Sequence, residues 1–553
     1  MQIPMFQTTQ WRVVLATGLG NIVEWYEFYL FAAMASVLGA QFLPKDQAAA
    51  GVFLALTVFG VGFVVRPVGA LVFGRIGDLI GRKYTFLITV IIMGLATLNV
   101  GLLPGYASIG VAAPVIFVAM RMLQGLALGG EYGGAVTYVA EHAQADQRGL
   151  QTSWVQLSAT VGLLLALLVV TLTRWSVGES AFAAWGWRIP FLLAFPLLLL
   201  SVWFRMSMVE SPLFERMRQK GERSAAPLAE ALGQWRRLRV MLLALFGLVA
   251  GQAVVWYAGQ FYALFFLTSV LRVDEITANL LMVGALLLGS PLILVFGSLS
   301  DKIGRKPIIM TGLLIAALTY MPLFERLTEA ANPKLAAAHK AAPVELLAPA
   351  ASCSFLGNPL ARETDFTQAC DIARRLLVSQ SVRHVTLPTA AGESARVRVG
   401  EREVPVPTVQ LEQGRFTQAS TAELAAFHEA LQQALESAGY PGPHSRADNI
   451  NHILVLAILT VLVIYVAMVY GPMAAMLVEL FPTRIRYTSV SVPYHIGNGW
   501  FGGLMPFIAL AMVAHNGNPY HGLWYPVVVA LITLLIGLFG IREVRNIPLD
   551  DVH

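Results

Sequence analysis

The chain has 553 residues, of which 56% are hydrophobic and only 13% are charged. Soluble proteins carry about 25% charged residues, because their surfaces face water. The composition therefore excludes a chain of ordinary soluble domains and is typical of a protein that spans a lipid bilayer. The net charge of +5 does not indicate nucleic acid binding, because Lys and Arg stand in short clusters between apolar runs.

Twelve apolar runs are long enough to cross a bilayer as helices, which takes roughly 20 residues each. The first run lacks a basic leader and a small-residue cleavage site, so we interpret it as a retained span. The predicted spans are 11–38, 50–74, 83–103, 112–140, 152–173, 186–205, 240–268, 276–299, 307–323, 452–479, 487–514 and 522–541.

Basic residues are distributed unevenly between the two sides of these spans. With the N-terminus in the cytoplasm, the cytoplasmic segments hold 20 Lys and Arg residues, and the short outer loops hold four. This bias predicts that both termini are cytoplasmic. Segment 324–449 then lies outside, where a long segment is exempt from the rule.

Two sequence patterns occur twice. The decad Gly74-Arg-Ile-Gly-Asp-Leu-Ile-Gly-Arg-Lys83 returns as Gly297-Ser-Leu-Ser-Asp-Lys-Ile-Gly-Arg-Lys306, at an offset of 223. The pattern from Tyr132 to Arg148 returns at an offset of 338, from Tyr470 to Arg486. The difference of 115 matches the polar stretch 324–449 as extra material in the second half. Two six-helix halves related by such a repeat are typical of secondary transporters.

The repeat predicts an all-α membrane protein of twelve helices in two pseudo-symmetric six-helix bundles, with a small α+β insert outside the membrane between helices 9 and 10. In the insert, 364–386 is predicted to be helical. The predicted parts are the first bundle at 1–205, a cytoplasmic linker at 206–239, helices 7–9 at 240–323, the insert at 324–449, and helices 10–12 with the tail at 450–553.

The chain's two cysteines, Cys353 and Cys370, both lie in the insert. In an oxidising periplasm they are predicted to form a disulfide, with free thiols as the alternative. The sequence leaves the role of the insert open between a lid, a docking module and a passive insertion.

Several strings resemble a known family. The decad 74–83 resembles the signature loop of the major facilitator superfamily. The strings 20–28, 121–134, 186–191 and 479–484 resemble the metabolite:H+ symporter family, which includes α-ketoglutarate, citrate, shikimate and proline/betaine carriers. The resemblance covers all but 324–449, an insert that the family usually lacks, and Glu27 stands where the family usually has Asp. It implies the major facilitator fold, a bacterial inner-membrane location and signature loops that clasp the cytoplasmic side shut.

Five ionisable residues lie inside predicted spans of the first half. The internal repeat aligns each of them with an uncharged residue in the second half. Because the second half builds the same helices without charge, these groups are predicted to be functional. They are Glu24, Glu27, Arg66, Arg121 and Glu131. In the same order, the aligned residues of the second half are Val255, Ala258, Gly289, Leu459 and Val469. Glu24 and Glu27 are three residues apart and share a helix face, so they are predicted to load and release the coupling proton. A static ion pair with Arg66 or Arg121 is the alternative.

Arg121 is predicted to bind a substrate carboxylate, with Arg66 as a second candidate, because a buried guanidinium can hold a carboxylate by two hydrogen bonds. Pairing with the buried glutamates is the alternative. Uncharged polar residues at the same depth are predicted to line the cavity, each with a helix–helix hydrogen bond as its alternative role. They are Gln156, Tyr257, Gln260, Tyr262, Tyr470, Tyr494, His495 and Asn498.

Asp78 and Asp301 of the repeated decads are predicted to accept hydrogen bonds at the N-termini of neighbouring helices. They would thereby gate the cytoplasmic side, while the alternative role of these loops is to mark topology. The full set of predicted gating residues is Gly74, Asp78, Arg82, Glu131, Glu141, Asp301, Arg305 and Glu479.

The predicted function is proton-coupled import of a small polar metabolite, an organic acid or a zwitterion, by alternating access. An exporter or uniporter of the same fold and a non-transporting sensor are the alternatives. The predicted partners are the substrate, protons and the lipid bilayer, with the chain as a monomer. No enzyme motif, cofactor, metal site or nucleic-acid partner is predicted.

Overall fold

The computed structural model describes residues 8–42, 48–206, 208–222, 224–354, 363–390, 392–442 and 445–545, together with 547 and 549. All candidate site residues named above fall within these ranges. The described part of the chain is mainly helical, with a small sheet between the ninth and tenth long helices.

The first half contains six long helices. They are α1 (Thr8–Ala33), α2 (Ala48–Ile80), α3 (Arg82–Leu102), α4 (Ala112–His142), α5 (Ala145–Val177) and α6 (Arg188–Met206). A short helix, Ala35–Phe42, follows α1, and two more, Pro212–Gln219 and Pro227–Leu232, lie in the linker to the second half.

The second half repeats this arrangement. Its long helices are α7 (Trp235–Val270), α8 (Glu275–Ile303), α9 (Arg305–Ala331), α10 (His452–Glu479), α11 (Thr483–Asn516) and α12 (His521–Gly540). By length and composition, α3 to α12 are ten helices able to cross a membrane within the described residues. The helices α1 and α2 occupy the places of the first two predicted spans, and a full count of twelve crossings stays a prediction.

Close packing of α2 against α4 depends on glycine. A Cβ added to Gly125 would lie 2.1 Å from the carbonyl oxygen of Gly62, and one added to Gly69 would lie 2.0 Å from that of Leu126. Small residues at these positions let the two backbones approach closely, as is common between membrane helices. This packing brings Arg66 of α2 and Arg121 of α4 into the same layer of the first half.

The two halves meet through equivalent helix pairs. Helix α2 packs on α11, and its pseudo-symmetric counterpart α8 packs on α5. Exposed tryptophans stand near the ends of several long helices, including Trp175 at 84% exposure and Trp235 at 68%. Such tryptophans are typical of the membrane–water interface.

The insert contains a four-stranded sheet of order β2-β1-β3-β4. The strands are β1 (Val344–Pro349), β2 (His384–Thr389), β3 (Arg396–Val399) and β4 (Arg402–Pro405), with a hairpin of β5 (Leu411–Glu412) and β6 (Arg415–Phe416). β1 and β2 are parallel, and the other neighbours in the four-stranded sheet are antiparallel.

Two helices complete the insert. Helix Ala369–Ser379 connects β1 to β2, and helix Gln418–Ser437 follows the hairpin. The helix predicted at 364–386 is therefore too long. It ends before Ser381, which adopts a left-handed conformation (φ 58°), and the chain continues as β2. A disulfide joins Cys353, after β1, to Cys370, in the first turn of helix Ala369–Ser379.

The insert rests on the loops at one end of the second half, the end predicted to face outside. Arg272, between α7 and α8, donates from Nη1 to the carbonyl of Gly442 at 2.5 Å and from Nη2 to that of Gln380 at 2.8 Å. The backbone N–H of His384 donates to the carbonyl of Gly517, between α11 and α12, at 3.1 Å. These contacts attach the insert to the second half.

Two histidines lie at this attachment. The His384 ring packs against Gly517, where an added Cβ would lie 2.6 Å from its Nε2, and its Nδ1 is 3.1 Å from the carbonyl of Val382. The Nε2 of His339 is 3.2 Å from the carbonyl oxygen of Ser381. Burial lowers the pKa of each histidine to about 4, helped by the positive charge of Arg374 near His384 and of Arg383 near His339.

We expect acid to loosen the insert. Above pH ~6.5 both histidines are neutral in every state, but at lower pH the unfolded segment binds protons that the folded one does not. The free energy of unfolding of the insert therefore decreases as the pH falls from about 6.5 to about 4. Each histidine contributes about 1.4 kcal/mol to this decrease for each unit by which its folded pKa lies below its unfolded pKa. Limited proteolysis of the insert at about pH 7.5 and pH 5 measures the loss. In the double variant His339→Gln, His384→Gln, the rate of cleavage should depend less on pH than in the wild type. An unchanged dependence on pH would contradict the prediction.

Candidate functional site

Aromatic side chains from both halves meet at the centre of the molecule. Trp25 of α1 lies 5.9 Å from Trp256 of α7, measured between ring centroids, and Tyr29 stacks on Trp256 at 6.3 Å. Tyr132 of α4 stacks on Tyr494 of α11 at 3.3 Å. We call this group the central cluster; its members are Trp25, Tyr29, Tyr132, Trp256, Tyr257, Phe261, Tyr470 and Tyr494.

Buried polar atoms without hydrogen-bond partners in the described part of the chain converge on the central cluster. In folded proteins the large majority of buried polar atoms are paired, so a concentration of unpaired ones indicates a place for a polar ligand or water. These atoms are Tyr29 Oη, Gln156 Oε1, Trp256 Nε1, both side-chain polar atoms of Gln260 and both ring nitrogens of His495.

The predicted cavity residues divide into two groups. Gln156 lies between the halves, because its Nε2 donates to Tyr132 Oη at 2.8 Å and to the carbonyl of Tyr470 at 3.1 Å. Asn498 instead bonds within the second half, to Gln252 at 3.3 Å. Tyr262 packs on Phe324 inside the second bundle, away from the central cluster.

Arg66 and Arg121 flank one aromatic ring. Each guanidinium carbon lies 4.3 Å from the centroid of Phe28, and Phe63 lies under Arg66 at 4.2 Å. Nε and Nη2 of Arg66 have no hydrogen-bond partner among the described residues. The guanidinium carbon of Arg66 lies 5.8 Å from the ring centroid of Trp25, so Arg66 borders the central cluster.

Arg121 is connected to Glu27 through two polar side chains. Its Nη1 donates to Gln124 Oε1 at 3.3 Å, Gln124 Nε2 donates to Thr97 Oγ1 at 2.7 Å, and Thr97 donates to Glu27 Oε2 at 3.0 Å. The structure thus joins a predicted proton site to a predicted substrate site by hydrogen bonds.

Glu131 lies away from the other predicted gating residues. It forms an ion pair with Arg205 of α6 and accepts a hydrogen bond of 2.5 Å from Thr89 Oγ1, all inside the first half. The gating role of Glu131 stays a prediction. Arg205, at the end of α6, is only 3% exposed. Only its place at the end of a span was visible in the sequence, not the inward direction of its side chain.

On the side predicted to be cytoplasmic, each decad aspartate binds the first turn of a helix from the other half. Asp78 accepts from the backbone N–H groups of Tyr487 and Thr488 in α11, at 3.2 and 3.0 Å. Asp301 accepts from those of Gly149 and Leu150 in α5, at 2.8 and 2.9 Å. The two contacts are equivalent under the internal repeat, and both hold the halves together.

Buried ion pairs surround these contacts. Glu479 of α10 pairs with Arg148 at 2.6 Å and with Arg305 at 2.9 Å. Glu141 of α4 pairs with Arg486 at 3.1 Å and, more loosely, with Arg82 at 3.5 Å. Each glutamate thus joins one arginine of its own half to one of the other half.

Gly74 has a packing role in this layer. A Cβ added there would lie 3.0 Å from Thr488 Cα, so the glycine lets α2 approach α11. At the opposite end of the molecule, Arg174 of α5 pairs with the exposed Glu275 of α8 at 3.3 Å. Together, the contacts of the decad aspartates and of Glu141 and Glu479 show that the halves are closed on the side predicted to be cytoplasmic.

Two glutamates that sequence reasoning missed cap the helices after the decads. Glu210 accepts from the backbone N–H groups of Arg82 and Lys83 at 3.1 and 3.3 Å, and Glu543 accepts from those of Arg305 and Lys306 at 2.9 and 2.8 Å. Their flanking sequences differ, so only the shared position after the sixth span of each half could have related them. Among the described residues, no group of His, Cys, Asp and Glu could hold a metal ion.

Comparisons with known proteins agree with this architecture. The family model "Sugar (and other) transporter" matches residues 13–235. The shikimate transporter of Escherichia coli (strain K12) is 36% identical over 318 residues, which cover 57% of this chain and 72% of that protein. The glycine betaine/proline/ectoine/pipecolic acid transporter OusA of Dickeya dadantii (strain 3937) is 35% identical over 324 residues, and the match spans 64% of its length.

Among solved structures, the proton:xylose symporter XylE bound to 6-bromo-6-deoxy-D-glucose superposes with a TM-score of 0.63 at 16% identity, over 98% of each chain. A partially occluded inward-open form of XylE from E. coli gives 0.58. These similarities show the fold, and the sequence identity to the shikimate transporter shows the kinship. The chain is therefore a multi-pass membrane protein that belongs to the sugar (and other) transporter family of the major facilitator superfamily.

Proposed function

We propose that this protein is a secondary active transporter that imports a small zwitterion or organic acid together with a proton, by alternating access between its two halves. The observation that carries the proposal is Arg66. Its guanidinium is buried and lies 5.8 Å from the ring centroid of Trp25 in the central cluster, and its Nε and Nη2 have no hydrogen-bond partner among the described residues.

Arg66 fits the carboxylate end of such a substrate. A guanidinium presents its N–H groups as a planar fork that matches the two oxygens of a carboxylate. Phe28 and Phe63 hold the guanidinium plane by contacts of 4.3 and 4.2 Å, so the fork is oriented before the substrate arrives. Tyr29, Gln156 and Gln260 add unpaired polar atoms at the same level.

The aromatic rings of the central cluster favour a zwitterion over a simple organic acid. Trp25, Tyr29 and Trp256 pack together with ring centroids 5.4 to 6.3 Å apart. The faces of such rings attract quaternary and other organic ammonium groups. A molecule with a carboxylate at one end and an ammonium group at the other fits Arg66 and these rings together. The relatives named as proline/betaine transporters are consistent with this choice.

Proton coupling is inferred from Glu24 and Glu27. Both carboxyl groups are buried beside the central cluster, at 2% and 1% exposure, and the matching positions of the second half are Val255 and Ala258. Because the fold does not require these charges, we assign them to the transported proton. The proposed setting is the bacterial inner membrane, with both termini in the cytoplasm and the insert in the periplasm.

Uptake by proteoliposomes tests this function. Purified protein is reconstituted, and uptake of labelled glycine betaine, proline, shikimate and α-ketoglutarate is measured with and without an inwardly directed proton gradient. We expect at least one zwitterion to accumulate above its external concentration only when the gradient is present. Accumulation that is independent of the gradient would overturn proton symport, and uptake of none of the four would overturn the proposed substrate class.

A further inference from the structure

The insert binds one arginine of the second half from two directions. Arg272, in the loop after α7, donates from Nη1 to the carbonyl of Gly442 at 2.5 Å and from Nη2 to that of Gln380 at 2.8 Å. Its own carbonyl accepts from the backbone N–H of Ala447 at 3.0 Å. Gln380 follows helix Ala369–Ser379, whereas Gly442 and Ala447 follow helix Gln418–Ser437. Two separate segments of the insert therefore meet at Arg272.

The end of α7 is capped by these and neighbouring contacts. The last carbonyl groups of a helix have no partner within the helix, so their partners must come from elsewhere. The carbonyl of Ser269 accepts from Ser381 Oγ of the insert at 3.4 Å, and that of Leu271 accepts from Asn332 Nδ2, directly after α9, at 3.0 Å. Arg272 itself has a φ of 56°, which is uncommon for a residue with a long side chain and persists where surrounding contacts fix it.

Helix α7 is less regular than its counterpart in the internal repeat. It contains three π-helical segments, Leu245–Val249, Ala258–Tyr262 and Phe266–Val270, whereas α1 is a continuous α-helix from Thr8 to Ala33. Such segments are rare, interrupt the regular hydrogen-bond ladder and are frequent at functional sites. The position of the outer part of α7 therefore depends more on its surroundings than that of α1.

The middle π-helical segment of α7 belongs to the central cluster. It contains Gln260 and Phe261, and Tyr257 directly precedes it. The ring centroid of Phe261 lies 5.5 Å from that of Tyr29 in the first half and 5.5 Å from that of Tyr257. The stretch from Gln260 to Arg272 is about 18 Å long at a rise of about 1.5 Å per residue. A displacement of the outer end of α7 is thus transmitted to the cluster along a single helix.

Further contacts fix the insert to other helices of the same half. The backbone N–H of Asn451, just before α10, donates to the carbonyl of Ala330 in α9 at 2.8 Å. Arg446 of the insert pairs at 3.3 Å with Asp274, whose carboxylate caps the start of α8. With the contact of His384 to the loop between α11 and α12, the attachment reaches four places in the second half. The insert therefore moves together with this half.

We infer that the insert is a brace, meaning that it fixes the outer end of α7 and thereby holds the α7 residues of the central cluster in place for substrate binding. Arg272 is the positioning residue of this brace, since it joins both segments of the insert to the end of α7. The inference rests on the proposed function only in its last step, the binding of substrate. It gives the insert a role different from a lid, a docking module or a passive insertion.

Hydrogen–deuterium exchange of the purified full-length protein, read by mass spectrometry, tests the brace without substrate. We expect Arg272→Gln to speed amide exchange in residues 263–271 of α7 and 440–447 of the insert by about tenfold or more, because a charged donor to two carbonyl groups is lost. Arg272→Lys keeps the charge but loses the fork, so it should restore part of the protection. Unchanged exchange in α7 of Arg272→Gln would overturn the brace.

Two comparisons make this measurement specific. Arg326→Gln is the matched control, because this arginine lies near the outer end of α9 but is 73% exposed and pairs with Glu329 of its own helix. Its exchange pattern should equal that of the wild type. In Arg272→Gln, exchange in α4 of the first half should also stay at the wild-type rate. An increase there as large as in α7 would show that Arg272 supports the whole fold, which would overturn its positioning role.

Calorimetric titration with glycine betaine tests the step to the binding site. Arg272→Gln should weaken binding by about 2- to 30-fold, the range found for residues that act on a site from a distance. Arg272→Lys should recover part of the affinity, and Arg326→Gln should match the wild type. Faster exchange in α7 with unchanged affinity would overturn the link to the central cluster. If the wild-type protein does not bind glycine betaine, the proposed substrate class fails, and the exchange measurement alone decides on the brace.

Discussion

Replacing Arg66 by Gln is expected to weaken the binding of glycine betaine by about 30- to 4,000-fold. Removing one partner of a buried, hydrogen-bonded charge pair costs about 2 to 5 kcal/mol, and each 1.4 kcal/mol corresponds to a factor of ten. The effect should be this large because Arg66 is 1% exposed and water cannot replace its contact with the substrate. Calorimetric titration of the detergent-purified protein measures it.

Two further substitutions separate charge from geometry at this site. Arg66→Lys keeps the positive charge but loses the planar fork, so it should recover only part of the affinity. Arg188→Gln is the matched control, because this arginine also lies over an aromatic ring, Trp187 at 4.4 Å, but at the start of α6 and away from the central cluster. It should change affinity less than threefold. Binding by Arg66→Gln within threefold of wild type would refute Arg66 as the carboxylate site.

The internal repeat explains how much of this site could be predicted. Glu24, Glu27 and Arg66 stood out because the second half carries Val255, Ala258 and Gly289 at their positions. A repeated fold thus acts as its own control, and charge that appears in one copy only is a signal available from sequence. The helix positions followed from apolar length in the same way.

Arg205 shows why the remainder was not predictable. Basic residues at the cytoplasmic end of a span are the normal expectation, so nothing in the local sequence distinguished it from a topology signal. Its inward direction depends on space above Gly20 and on the carbonyl of Phe86, which belong to two other helices. The ion pair of Glu131 with Arg205 was not visible in the sequence for the same reason, because the two residues lie far apart in the chain.

The insert illustrates a different limit. The boundary between helix Ala369–Ser379 and β2 falls at Ser381, a residue with no special sequence preference for a left-handed conformation. Attachment to the second half fixes this turn, since the carbonyl of Gln380 accepts from Arg272 and Ser381 Oγ donates to the carbonyl of Ser269 at 3.4 Å. Local propensity does not contain such tertiary contacts.

Substitution of both decad aspartates by asparagine is expected to open the cytoplasmic side. Asp78 accepts three hydrogen bonds from Tyr487 and Thr488, and Asp301 accepts two from Gly149 and Leu150. Each carboxylate also neutralises the positive N-terminal end of a helix from the other half. An asparagine retains one acceptor oxygen, turns an N–H₂ group toward the remaining donors and carries no charge.

We expect Asp78→Asn to shift the equilibrium between the closed and open cytoplasmic states about 10- to 100-fold toward open, because charged hydrogen bonds at buried sites contribute about 1.5 to 3 kcal/mol. Spin labels at the exposed and pseudo-symmetric positions 80 and 303 report the change as a longer distance between the halves. Asp301→Asn is the matched variant and should act in the same direction but less strongly, since Asp301 is 9% exposed whereas Asp78 is fully buried.

The double variant tests whether both aspartates act on the same opening of the two halves. If they do, their effects on the free energy of opening should add, because the two contacts share no residue and lie at different helix ends. Affinity for glycine betaine should fall by less than tenfold. Gradient-driven accumulation should be nearly lost, because the binding site can open to the outside again only after the cytoplasmic side has closed. Unchanged label distances in the double variant would show that the ion pairs of Glu141 and Glu479 hold the cytoplasmic side shut without the decad aspartates.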